Sequence, residues 1–195
     1  MCGAITEFSK YSKGEFVPIS KRRQKEIIEL AIPGVPPGTP EELWNDEAAL
    51  KLLIRDADRK RRVWLSAATD PKELHLFAEN WHWDGGGGKQ LQPLVANQHC
   101  DAGTLLLLFW HGGGEDSYYQ YNRPAEIESE FDREVHWLLL KIERRLIKKD
   151  YLTANIYFDP SSFASMYDQR ADFARNLPEL MYHPIGRKPR KSGGD

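Results

Sequence analysis

Asp101-Ala102-Gly103-Thr104-Leu105-Leu106-Leu107-Leu108-Phe109-Trp110-His111 is the stretch on which the fold turns. Asp101 suits a helix N-cap, because its carboxylate can accept hydrogen bonds from the free N–H groups of a first turn. The residues after it are apolar nearly all round and lack the polar stripe of a surface helix. Such a helix needs neighbours on every side. Ala102–His111 is therefore expected to be the central core helix, ended by Gly112-Gly113-Gly114. Its run Leu105–Trp110 is the longest apolar run of the chain and falls far short of the roughly 20 residues that cross a bilayer.

Working outward, Ile127, Phe131, Val135, Leu138, Ile142 and Leu146 recur at spacings of three and four, which predicts an amphipathic helix from about Pro124 to Lys149. Asp159-Pro160 opens another, expected to run to about Asn176. On the other side, Asp70-Pro71-Lys72-Glu73 combines a cap, a first-turn proline and an acid three residues on. That helix buries Leu74, Phe77 and Ala78 and closes through Trp81-His82-Trp83-Asp84 into Gly85–Gly88, read as a flexible turn. A short helix is expected over Leu91–Asn97, with Pro93 in its first turn. Ser20 caps a helix to about Leu30, and Pro33–Pro40 is too rich in proline and glycine for regular structure. Thr39 is expected to cap a helix beginning Pro40-Glu41-Glu42, which either frays across the charged run Arg55–Arg62 or continues toward Val63-Trp64-Leu65. The first twenty residues read as a loop or a short strand pair.

These elements predict a mainly α fold: a compact orthogonal bundle of about six or seven helices with an irregular N-terminal segment. The expected division is 1–39 (N-terminal segment and Pro/Gly-rich loop), 40–185 (helical domain) and 186–195 (disordered tail). The 195 residues suffice for a core without disulfides or metal staples. Cys2 and Cys100, the only cysteines, make no secreted disulfide framework. No basic stretch followed by an apolar segment opens the chain, so a cytoplasmic location is expected. Charge is uneven: residues 63–136 carry 4 Lys/Arg against 12 Asp/Glu, while both flanks are mildly basic. Phosphate binding needs Lys and Arg, so the acidic middle argues against nucleic acid and suits a basic protein partner. No membrane partner is expected.

Two segments look familiar. Phe77-Ala78-Glu79-Asn80-Trp81-His82-Trp83-Asp84-Gly85, followed by His99-Cys100-Asp101-Ala102-Gly103-Thr104-Leu105, resembles a bacterial family known as domain of unknown function 4274, over roughly residues 70–121. Its members share an aromatic-x-Trp-Asp-(Asp)-Gly turn and, about 15 residues on, a Cys-Asp-x-x-Thr-Ala helix start. Here Gly86 stands where a second acid is common and Leu105 where alanine is common. The resemblance implies a helical fold and no particular activity. Small helical proteins of this kind are similar to the immunity partners of antagonistic bacterial toxins.

No complete catalytic constellation is visible. His82, Asp84, His99, Cys100 and Asp101 are ligand types at spacings that match no tight metal motif, so neither a metal nor a cofactor is assigned. Glu115, Asp116, Glu128 and Glu130 have no partner base placed beside them. An enzyme alternative rests on Cys2, which after removal of Met1 would pair its thiol with a free α-amine, as in hydrolases or amidotransferase-like enzymes with an N-terminal nucleophile. The favoured expectation is a binding protein: an immunity protein that neutralises a cognate, basic toxin or effector, such as a nuclease, by occluding its active site. Residues 112–123 are read as a mobile loop that presents Glu115, Asp116, Tyr118, Tyr119 and Tyr121, with Glu126 and Glu130 extending the acidic surface.

Overall fold

A computed structural model describes residues 18–164 and 173–188, and among these it contains eight α-helices and no named strand. They are α1 Lys21–Leu30, α2 Glu47–Ala67, α3 Pro71–Glu79, α4 Gly88–Ala96, α5 Ala102–His111, α6 Gly114–Gln120, α7 Glu130–Lys148 and α8 Ser161–Ala164. The mainly α expectation holds. The N-terminal strand pair, Cys2 and the 189–195 part of the tail lie outside the described residues.

α5 is the axis. All nine residues from Ala102 to Trp110 are buried. α3, α6 and α7 pack on it directly, α4 packs on α7, α2 on α4, and α1 on α3. Ile27 and Ala31 are fully buried in the same cluster as Leu105 and Ile142, so one core continues across the boundary expected at residue 39. Arg23 of α1 grips Glu73 of α3 with two N–H donors, at 2.7 and 2.6 Å, a fork that fixes the two helices side by side.

Long-range polar groups, rather than local signals, set several helix ends. The last carbonyls of a helix have no partner within it. Buried Arg61 of α2 donates to Leu30 O and Ile32 O, both at 2.7 Å, and closes α1. Asn97 donates to Leu65 O and Ala68 O and closes α2. Arg145 of α7 donates to Val95 O and Asn97 O and closes α4.

Three expectations about helix starts need correction. Thr39 donates its hydroxyl to Pro36 O instead of capping; residues Glu41–Asn45 form a 3-10 turn, and Asp46 caps α2 through Ala49 N. α2 then runs unbroken through the charged stretch to Ala67. α7 starts at Ser129, whose hydroxyl accepts from Asp132 N, because Pro124–Glu126 is a separate 3-10 turn. The tetraglycine is no mere turn: Gly88 is the first residue of α4, and a Cβ there would lie 2.3 Å from Glu134 O on α7. Glycine lets the two helix backbones touch, and it moves Pro93 from the first turn to the interior of α4. The helix expected to reach Asn176 does not: residues 173–176 are irregular.

The segment after α7 is held by Asp101. Fully buried, this carboxylate accepts from Gly103 N (2.9 Å) to cap α5. It also accepts from Thr153 Oγ1 (2.6 Å), Asn155 N (2.8 Å) and Ile156 N (3.3 Å). Farther along, Phe158 and Ile185 pair by two backbone hydrogen bonds, and Trp110 Nε1 donates to Met181 O. Replacing Asp101 by Ala removes every one of these acceptors and is expected to cost about 3 kcal/mol, whereas Asp101→Asn keeps an acceptor and costs less. Urea unfolding of the two variants measures this; a loss for Ala below about 0.5 kcal/mol would contradict the clamp.

Candidate partner-binding site

The Cys-Asp end of α5 is consumed by structure; the opposite end is open. α5 stops at His111 because Gly112 follows, and Gly112 has a second role. A Cβ there would sit 2.8 Å from the ring of Trp83, so glycine admits that indole against the helix end. Trp83 thereby becomes the divider between two adjoining recesses of about 400 and 360 Å³, which share it and His111. Asp84, Phe131, Asp132 and Val135 complete the first. Trp110, Glu115, Asp116 and Phe163 complete the second, with Gly113.

The lining has one sign of charge. Asp84, Asp132, Glu115 and Asp116 are carboxylates, Glu115 nearly fully buried, and no Lys or Arg stands among the described lining residues. His111 adds none at neutral pH: its packing on Phe163 and Phe158 desolvates the ring and holds its pKa below the ordinary 6.5. The walls are aromatic. Ring quadrupoles and carboxylates attract the same sign of charge, so the two kinds of lining group act in the same direction.

The seven residues expected to form the binding surface do not lie together. Residues 114–120 are helix α6, not a mobile loop, because Gly114 packs on the Phe109 ring and starts a helical turn. Glu115 and Asp116 line the recess, Asp116 half-buried and Glu115 nearly fully buried. Tyr118 points inward and is fully buried; its hydroxyl donates to Glu143 Oε2 at 2.5 Å. Arg175 joins the same carboxylate at 2.7 Å and stacks over the Tyr118 ring, and burial with the Glu143 bond pushes the phenol pKa well up. Tyr119 meets Phe173 edge-on, and Tyr121 meets His136. Glu126 caps its own turn through Asn122 N and Arg123 N. Glu130 is exposed at the start of α7, outside the recess lining.

Sequence reasoning places Asp132 in the acidic run after the tyrosines, but it does not single out Trp83, Asp84, His111, Phe131 or Phe163 for partner binding. Phe131 was misread as core because the α7 stripe was extended back through it; in fact it is 44% exposed at the recess edge. For Trp83-Asp84 a signal existed in the aromatic-acid turn, but turn chemistry alone accounts for it equally well.

Two hydroxyl–imidazole pairs resemble nucleophile and base. Ser117 Oγ lies 2.7 Å from His136 Nδ1; Thr104 Oγ1 lies 3.0 Å from His75 Nδ1, whose Nε2 is 3.3 Å from Glu79. His136 and Thr104 are fully buried, so neither pair reaches a substrate. Among the described residues no cluster of three or more His, Cys, Asp or Glu could hold a metal. Burial pushes the Cys100 thiol up to about 12, which makes it inert.

His136 yields a test of this interior. Desolvation, with Arg175 nearby, lowers its pKa from the ordinary 6.5. The unfolded chain therefore binds this proton more readily, and stability is lost as pH falls below about 6.5 and is unaffected above it. Urea unfolding between about pH 7.5 and pH 5 should show that loss, shallower in His136→Gln. An unchanged slope in the variant would contradict a neutral buried imidazole.

No curated protein and no solved structure is significantly similar to the chain. A family model does match residues 69–147, from the residue before the cap of α3 to the last turn of α7. All the recess residues except Phe163 fall in that span. Residues 69–147 thus match the model of the family described as Domain of unknown function (DUF4274).

Proposed function

We propose that this is a binding protein that docks a basic protein partner at the recess around Trp83 and His111. We take the partner to be a toxin, a nuclease or another enzyme, that the chain neutralises by covering its active site. The observation that carries the reading is the recess itself: the exposed carboxylates of Asp84 and Asp132, with Asp116, stand among its described lining residues around a divided aromatic pocket. A nuclease cleft is rich in Lys and Arg, since it must hold phosphates. A complementary acidic surface would steer its approach, and aromatic walls would stack on the guanidinium or ammonium groups that enter. Trp110 and Phe131 stand on α5 and α7, and Trp83 and Phe163 pack against the core from the adjoining segments, so little freedom is lost on binding.

Affinity capture from the source organism, comparing the protein with Trp83→Ala and with Asp116→Lys, tests this. One basic chain is expected at 1:1 stoichiometry. Trp83→Ala should weaken it about 30-fold or more, as for a central aromatic anchor. Asp116→Lys should act mainly on the association rate, more strongly at low salt. A partner that binds both variants as tightly as the parent chain would place the interface elsewhere and refute the recess reading.

A further inference from the structure

α7 has a second face that the recess does not use. Trp137, Leu140, Lys141, Arg144, Ile147 and Lys148 follow one another at spacings of three, one, three, three and one, so all six share one side of the helix. That side is opposite the stripe Leu138, Leu139, Ile142 and Leu146 that enters the core. Trp137 is 53% and Ile147 50% exposed; Lys141, Arg144 and Lys148 are exposed and Leu140 is half-buried. From Trp137 onward no acid stands on this face. Twelve residues give it a length of about 18 Å.

An apolar row between cations, on a rigid and convex helix, is the pattern of a helix that lies in a membrane interface. We propose that this face of α7 rests on an anionic lipid bilayer, with Trp137, Leu140 and Ile147 in the headgroup boundary and Lys141, Arg144 and Lys148 against lipid phosphates. Charge complementarity selects the anionic surface. The aliphatic centre selects lipid over nucleic acid, whose phosphates would face Leu140 and Ile147 with no gain. A bilayer is also continuous and deformable, so it needs no groove to receive a convex ridge. No described helix is long and apolar enough to cross a membrane, and none is needed for a contact that lies along the surface. Phe131, Asp132 and Val135, which line the recess, lie on the other side of α7, so the lipid-bound protein would keep its recess open.

Sedimentation with vesicles tests the proposal, using phosphatidylcholine alone and an equal mixture with phosphatidylglycerol. The protein is expected to pellet with the mixed vesicles only, and less so as salt rises. Each cation removed should lower partitioning about fivefold, so Lys141→Ala, Arg144→Ala and Lys148→Ala together should lower it about 100-fold. Trp137→Ser with Ile147→Ser should also weaken it without loss of helical circular dichroism, since both side chains are largely exposed. Failure of the parent protein to bind mixed vesicles overturns the proposal. So does equal binding to neutral vesicles, or binding that these variants do not change. The outcome is independent of the recess, because neither the variants nor the vesicles involve it.

Discussion

The constraint from which the rest of this structure follows is that α5 has no polar side. A helix with a polar face can sit at a surface; Ala102–Trp110 cannot, and all nine of its residues are buried. Surrounding it takes α3, α6 and α7 in direct contact, and those helices must in turn be backed by α1 and α4. The charged character of the rest of the chain follows too, since the covering helices carry the polar surface. α5 therefore has only its two ends to offer. At the N-terminal end, Asp101 is used up in four hydrogen bonds, one capping α5 and three pinning residues 153–156. At the C-terminal end, glycine lets Trp83 in and the chain turns away, and there the acidic recess opens.

Several polar side chains inside this fold satisfy groups that would otherwise be orphaned. Arg61, Asn97 and Arg145 show this: each reaches from one helix to the open carbonyls of another. The Tyr118–Glu143–Arg175 network does the same between α6, α7 and the segment beyond residue 172. Breaking one partner of that network would leave a buried charge uncompensated, so it is a structural unit rather than a reactive one.

Much of the scaffold was legible in the residues. α1, α3 and α5 carry a cap beside a clear apolar pattern, and all three begin where Ser20, Asp70 and Asp101 predict. The failures have physical causes. Gly113 and Gly114 suggested a loop, yet Gly114 is helical because only glycine fits beneath the Phe109 ring. Tyr118 was read as an interface tyrosine, since nothing local reveals that Glu143, 25 residues away, receives its hydroxyl. The recess was hidden for a related reason. Its lining comes from residues 83–84, 110–116, 131–135 and 163, four segments that only the packing around α5 brings together.

The central claim is that the α5 exit, and not the acidic start of α7, receives a partner's cations. The most direct measurement is a nuclear magnetic resonance titration of the isotope-labelled protein with a short peptide of arginine and lysine. The account predicts that the Trp83 indole N–H and the amides of His111, Gly112, Gly113 and Asp116 shift together, with a midpoint that moves to higher peptide concentration as salt is added. Silent signals at those positions, with shifts confined to the neighbourhood of Glu126 and Glu130, would contradict it.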